Sequence, residues 1–182
     1  MNFWRHLFTI SKHRCLVMKS CFAVGLYWQG LIHDLSKYSL TEFKVGMNYY
    51  QGVRSPNNAE RETKGYSSAW LHHKGRNKHH FEYWVDYNIM KRGSFIPVEM
   101  PKKYVVEMLM DRIAACKVYD KASGVKYEDS HPYEYFKKGL DETHLNRNTC
   151  ELIKQLLNML ANDGEKKTFA FIKKNVLHKN IH

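Results

Sequence analysis

Ala69-Trp70-Leu71-His72-His73-Lys74-Gly75-Arg76-Asn77-Lys78-His79-His80-Phe81-Glu82-Tyr83-Trp84 sets two doubled histidines around a basic turn. Imidazole is a good metal ligand and an indifferent core filler, so four of them this close point to a metal site. Two pairs cannot close such a site, and the remaining ligands must come from distant positions brought together by the fold. The spacing predicts a helix over Ser67 to Lys74, a break near Gly75, and a second helical run from about His79 to Met90. In a continuous helix His73 and His80 would share a face, as would His72 and His79. Adjacent helical residues point about 100° apart, so one histidine of each pair is expected to bind, with His73 and His80 favoured.

The rest of the chain is also helical in pattern. About Asn2 to Val24 lacks proline and glycine, carries His13, and stops at Gly25, a plausible helix end. Trp28 to Ser36 predicts a short helix, and Ser39-Leu40-Thr41-Glu42 has the form of a capping box opening a third, which runs to about Tyr50. Gly52 to Gly65 is polar and reads as a loop with a turn of helix, and Gly93 to Pro101 as a second loop. Lys102 to Lys121 follows, with Tyr104, Met108, Ala115 and Val118 on one face. Asp111 sits within that apolar stripe, where an ionised carboxylate is costly unless a cation neutralises it. A polar connector with Gly124 and Pro132 leads to two amphipathic helices, about Arg147 to Ala161 and Gly164 to Leu177, divided at Asn162-Asp163-Gly164.

With 182 residues, 43% of them hydrophobic, the chain is expected to be a single domain over residues 1–182 with a sizeable core. Arg5, Lys12, Arg14 and Lys19 interrupt the apolar N-terminus far short of the ~20 residues a membrane span needs. No signal-peptide pattern is evident, so a cytoplasmic protein without a membrane partner is expected. Cys15, Cys21, Cys116 and Cys150 show no CxxC spacing, which disfavours cysteine-bound zinc and predicts free, mostly buried thiols. The net charge of +11 favours anionic, phosphate-bearing partners. The positive residues form no consecutive run and no RNA-binding signature, so nucleic acid is not favoured over a small phosphorylated substrate.

In chain order the sequence offers His13, His33-Asp34, the two histidine pairs, and Asp111. This H…HD…H…H…D order resembles the HD-domain superfamily, all-helical proteins in which those residues converge on one or two metal ions. His33-Asp34-Leu35-Ser36-Lys37 is similar to the His-Asp-x-Gly-Lys element of several dinuclear HD families, with Ser36 in place of the glycine. Gly30-Leu31-Ile32-His33-Asp34-Leu35-Ser36-Lys37, Glu42-Phe43 and the stretch from Ala69 to Trp84 resemble, over nearly the whole chain, a group of small bacterial and phage proteins of unknown function.

The resemblance implies a compact, all-α, HD-domain-like bundle of about six to eight helices. It implies the metal ligands His13, His33, Asp34, His73, His80 and Asp111, with Asp34 bridging, and Lys37 meeting the substrate's anion. Mixed nitrogen and oxygen ligands suit two divalent ions of manganese, iron, cobalt, nickel or zinc. Such a pair activates water for attack on a phosphoester, with Asp34 and Lys37 as catalytic groups. Lys37, Arg76 and Lys78 are the expected phosphate clamp, and His72 and His79 the expected substrate-polarising or orienting groups. The expected function is therefore a metal-dependent phosphohydrolase acting on a nucleotide or other small phosphoester. The alternatives are a di-iron oxygenase of the same fold using O₂, or a non-catalytic metal- or anion-binding module.

Each residue alone has a plainer reading. A helical histidine beside Ile10, Leu16 and Val17 is more often packed than ligating, and Asp111 followed by Arg112 is often a salt-bridged carboxylate. It is their joint order that favours a site. Glu42 and Glu82 are expected either behind the ligands or on the surface, His131, His144 and His178 in solvent, and Tyr83-Trp84 in the core.

Overall fold

The computed structural model describes residues 2–139 and 144–177. Its elements run α1 (Phe3–Ala23), α2 (Tyr27–Ile32), a 3-10 turn (Leu35–Tyr38), α3 (Leu40–Asn48), α4 (Pro56–Lys64) and α5 (Ser68–Lys74). A second 3-10 turn (Phe81–Trp84) leads into strands β1 (Val85–Tyr87) and β2 (Phe95–Pro97). The helices α6 (Lys102–Ala122), α7 (His131–Gly139) and α8 (Arg147–Phe171) follow, the last passing into a π-helical stretch (Ile172–Leu177). The fold is all-α apart from one antiparallel hairpin in which Val85 faces Pro97 and Tyr87 faces Phe95.

Local signals account for the helix ends. Ser39 Oγ accepts the Glu42 amide of α3 at 3.4 Å, Ser67 Oγ accepts the Trp70 amide of α5 at 3.0 Å, and Asn146 Oδ1 accepts the Asn148 amide of α8 at 3.0 Å. Each satisfies a donor that the first helical turn leaves open. α8 bends at Gly164, whose φ of 78° and ψ of 169° only glycine adopts readily, so the expected division at Asn162-Asp163-Gly164 is a kink within one long element.

The core is a layer in which α6 lies between α1 and α8. Val105, Val106, Leu109, Met110 and Ile113 of α6 are buried with Val17 and Cys21 of α1 and Ile153, Leu156, Leu157 and Leu160 of α8. Burying each large aliphatic side chain contributes about 1.5–3 kcal/mol, so this layer fixes α6 as the central element on which the site is built.

Several sequence expectations change, among them the short helix expected over Trp28 to Ser36, which ends at Ile32. Gly52 to Gly65 holds a full helix, α4, rather than a loop with a single turn, because Pro56 starts it, Gly65 ends it, and its own Glu60 is buried. The connector before α8 contains α7, which seats Phe136 in the core. The predicted helix from His79 to Met90 does not form. Residues 77–80 make a turn, and the aromatic and β-branched residues after it pair as a hairpin. Trp84 packs against the core as expected, whereas Tyr83 is 38% exposed. Among the described residues all four cysteines are free, with Cys21 and Cys150 buried, Cys116 half-buried and Cys15 exposed. No described helix is long and apolar enough to cross a membrane.

Candidate metal centre

A backbone break makes the centre possible. α2 ends at Ile32, where Arg14 Nε donates to the His33 carbonyl at 2.7 Å and Nη2 to the Leu31 carbonyl at 3.0 Å. Asp34 then takes a left-handed conformation with φ of 54°, at a cost of about 1 kcal/mol for a residue other than glycine. The reversal lets the adjacent His33 and Asp34 side chains face the same interior, which a continuing helix would forbid. Ser36, standing where the similar element has glycine, needs no positive φ, and its hydroxyl accepts the Asn77 amide at 2.8 Å. His13 lies on the buried face of α1, Asp111 on α6, and His73 in the last turn of α5.

These side chains form two sets that share Asp34. His13, His33, Asp34 and Asp111 offer ligand-capable atoms within 4.8 Å of one another, as do Asp34, His73, His79 and His80. Asp34 Oδ2 lies 3.3 Å from His33 Nε2 and 3.7 Å from His13 Nε2, and Asp111 Oδ1 is 2.9 Å from His13 Nε2. On the other side, Asp34 Oδ1 lies 3.2 Å from His73 Nε2 and 3.5 Å from His79 Nε2. Asp34 thus presents one oxygen to each set.

Whether a cation fits is decided by the buried polar atoms. The Nε2 atoms of His13, His33, His79 and His80 and both oxygens of Asp34 are buried without a hydrogen-bond partner. Asp34 Oδ2 still has the Lys37 ammonium at 2.6 Å and His13 Nε2 has Asp111 at 2.9 Å, whereas His33, His79, His80 and Asp34 Oδ1 keep lone pairs or protons whose burial costs about 1–3 kcal/mol each. Cations coordinated by those lone pairs remove it, and the buried groups can hold a metal ion.

Two carboxylates brace the imidazoles from behind. Glu107, one turn before Asp111, presents Oε1 to His33 Nδ1 at 2.9 Å and to His79 Nδ1 at 3.2 Å. Glu42 presents Oε2 to His73 Nδ1 and Oε1 to His72 Nδ1, both at 2.7 Å. An Nδ1–H held by a carboxylate leaves the Nε2 lone pair pointing inward. Glu42 thus does not return to the α3 amide as a capping box would have it.

The charges agree with this arrangement. Burial works against Asp34, yet His33, Lys37 and His73 hold its carboxyl well below the usual range. Asp111 is likewise held low, against burial, by His13 and His33. Burial, with His79 and His73 alongside, keeps His80 neutral, and burial with Lys37 lowers His13. His33, despite burial, is raised by Asp34, Asp111 and Glu107.

A cavity of ≈ 550 Å³ adjoins the centre, its wall including His13, Lys37, His73, His80 and Asp111. Lys37 Nζ is 2.6 Å from Asp34 Oδ2, and Asp34 and Asp111 raise its pKa against the effect of burial. The rest of the expected clamp is elsewhere. Arg76 is exposed and donates to the His72 carbonyl at 3.2 Å, while Lys78 is exposed and lies over the Tyr83 ring. Neither is on the cavity wall, which instead carries Arg54, Arg61, Arg112 and Lys138.

The histidine pairs divide unevenly. His72 serves Glu42, whereas His79 joins His73 and His80 around Asp34. The one-per-pair rule presupposed a helix, and the turn at 77–80 lets neighbouring side chains converge. His6, on the cavity wall a heptad before His13, was not singled out from the sequence, although the seven-residue spacing marks a shared face. Its Nδ1 is buried without a partner, and burial together with Lys37 lowers its pKa to about 4. Glu107 was also missed, though a second carboxylate four residues before Asp111 in an apolar helix was a signal. Glu82 lines the cavity. His144 is exposed as expected, His131 is half-buried against Asp120 at 2.7 Å, and His178 lies outside the described residues.

Residues 2–159 match the model of a family of unknown function, DUF5662. The chain belongs to that family. Comparison with curated proteins and with solved structures finds no match. The family carries no activity with it, so the chemistry rests on the centre itself.

Proposed function

We propose that this protein is a metal-dependent phosphohydrolase that binds two divalent transition-metal ions through Asp34 and acts on a small anionic phosphoester. The observation that carries the reading is that the two buried Asp34 oxygens face imidazole nitrogens without a hydrogen-bond partner from different sides, Oδ2 toward His33 and Oδ1 toward His79. His13, His33, Asp34 and Asp111 would hold one ion, and Asp34, His73, His79 and His80 the other. Bound there, the ions would supply Lewis acidity and water ionised near neutral pH. The sequence order resembling HD-domain proteins supports the same assignment.

The protein's own groups have separable tasks. Glu42 and Glu107 keep protons on Nδ1 of the imidazoles they brace, so that Nε2 is free to donate. Lys37, charged and aimed across Asp34 at the cavity, places a fixed positive charge where a phosphoryl oxygen would approach. The net charge of +11 draws anionic substrates toward the cavity.

The test is phosphate release from p-nitrophenyl phosphate, nucleoside monophosphates and cyclic dinucleotides, with protein loaded in turn with Mn²⁺, Fe²⁺, Co²⁺, Ni²⁺ or Zn²⁺. Release that depends on metal and is abolished in Asp34→Asn is expected. No release with any metal across the panel would overturn the hydrolase reading. Dioxygen uptake by an iron-loaded sample with a mixed-valent signal would move the centre to oxygenase chemistry.

A further inference from the structure

Four positively charged side chains besides Lys37 line the cavity, and they differ in what already occupies them. Arg54 is clamped by Glu62 at 2.6 and 2.5 Å and by Gln51. Arg61 donates to Asn58 at 2.9 Å and stacks over Trp70. Lys37 is held by Asp34, and Lys138 is exposed. Arg112 is different: its guanidinium lies 4.9 Å over the Phe136 ring, its Nε is buried, and no described residue hydrogen-bonds or ion-pairs with it.

A protein seldom leaves a half-buried guanidinium without an acceptor, because the group loses water and gains nothing in return. Phe136 offers the cation a ring face without using its hydrogen-bonding capacity. Asp111, the preceding residue, is occupied with His13 and does not pair with it. A planar fork with no acceptor among the described residues is suited to bidentate capture of an oxyanion. It lines the same cavity as Lys37, which pairs with Asp34.

We infer that Arg112 is a specificity-determining residue that binds a second oxyanion of the substrate, a carboxylate or a phosphate, beyond the phosphoryl group handled at the Asp34 centre. The inference rests on the reading of that centre as the place where the phosphoryl group sits. The substrate is thus an ester bearing two anionic groups, and compounds with one are poor ligands.

The test titrates ethyl phosphate, phosphoglycolate and pyrophosphate calorimetrically into wild type, Arg112→Ala and Arg112→Lys, with metal content measured on each sample. Wild type should bind at least one two-anion probe about ten- to hundredfold more tightly than ethyl phosphate. Arg112→Ala should lose that margin while keeping its ethyl phosphate affinity and metal content, and Arg112→Lys should keep only part of it. A margin for phosphoglycolate alone assigns a carboxylate, and one for pyrophosphate alone a phosphate. Equal affinity for all three probes in wild type, or a margin that survives in Arg112→Ala, overturns the inference. If Arg112→Ala does not fold, the wild-type margin and Arg112→Lys decide. An Arg112-dependent margin in protein that binds no metal would overturn the metal reading and leave this one standing.

Discussion

Replacing Glu107 by Gln isolates the brace behind the proposed metal centre with little change in side-chain volume. One oxygen of Glu107 accepts from His33 at 2.9 Å and lies 3.2 Å from His79 Nδ1, and these imidazoles fall in the two different sets that share Asp34 as well as clustering with Glu107 itself. A hydrogen bond to a charged acceptor is worth about 1.5–3 kcal/mol against about 0.5–1.5 for a neutral one, so each imidazole loses about 1–1.5 kcal/mol of orientation. That is about tenfold in affinity at each ion position, near the lower end of the 10- to 100-fold that outer partners of ligating histidines typically contribute. Competition with a chromophoric chelator for Zn²⁺ or Co²⁺ reads both steps, with circular dichroism confirming that α6 is intact. His72→Ala is the control, because His72 occupies the Glu42 oxygen that does not hold His73, and should shift affinity by less than about threefold. Unchanged binding in Glu107→Gln, or an equal loss in His72→Ala, would refute the two-carboxylate brace.

Glu60 is fully buried and accepts from Ser67, Ser68, Lys64 and the Ala69 amide, tying α4 to the start of α5. Despite burial, those bonds lower its pKa from 4.5 to about 2, so its stabilisation is complete above pH 4.5 and is lost as pH falls toward 2. Glu60→Gln should therefore cost about 2 kcal/mol at pH 7 in urea unfolding, with the gap to wild type closing below pH 4.5; a gap that stayed constant down to pH 2.5 would contradict it. Gly46→Ala would bring a Cβ within 2.2 Å of His6 Nε2, whose ring is buried against Phe43 and Tyr50 and cannot swing away freely. A loss of about 1–3 kcal/mol is expected, and an unchanged melting temperature would show that the packing there is loose.

The elements that sequence made legible are those whose signals are local. α1 ends before Gly25, α3 starts at Ser39, and α6 displays its apolar stripe because caps and a 3.6-residue period are written into neighbouring residues. α4 was hidden by its polarity, since its stability comes from Glu60 accepting bonds across a sequence gap rather than from an apolar face. The hairpin was hidden because Val85–Tyr87 finds its partner only across the loop to Phe95–Pro97. The failure mattered for the site: with a helix assumed over 79–90, His79 and His80 could not both turn inward.

The convergence of His13, His33, Asp34, His73, His80 and Asp111 was legible from chain order, which the resemblance to HD-domain proteins supplied. The left-handed Asp34 that aims two neighbours at one interior was not, because nothing in His-Asp-Leu-Ser-Lys marks a positive φ. Glu42 was visible as a helix-capping residue, and its diversion to two histidines depends on α5 packing against α3. Arg76 and Lys78 drew attention by adjacency to the histidines, but the turn that gathers the imidazoles inward leaves both side chains exposed.

Elemental analysis of natively purified wild type beside Asp34→Asn tests the shared-carboxylate centre most directly. The account predicts about two equivalents of transition metal per wild-type chain and almost none in Asp34→Asn, with both proteins folded. Wild type that takes up no metal on reconstitution, or Asp34→Asn that retains the full complement, would contradict it.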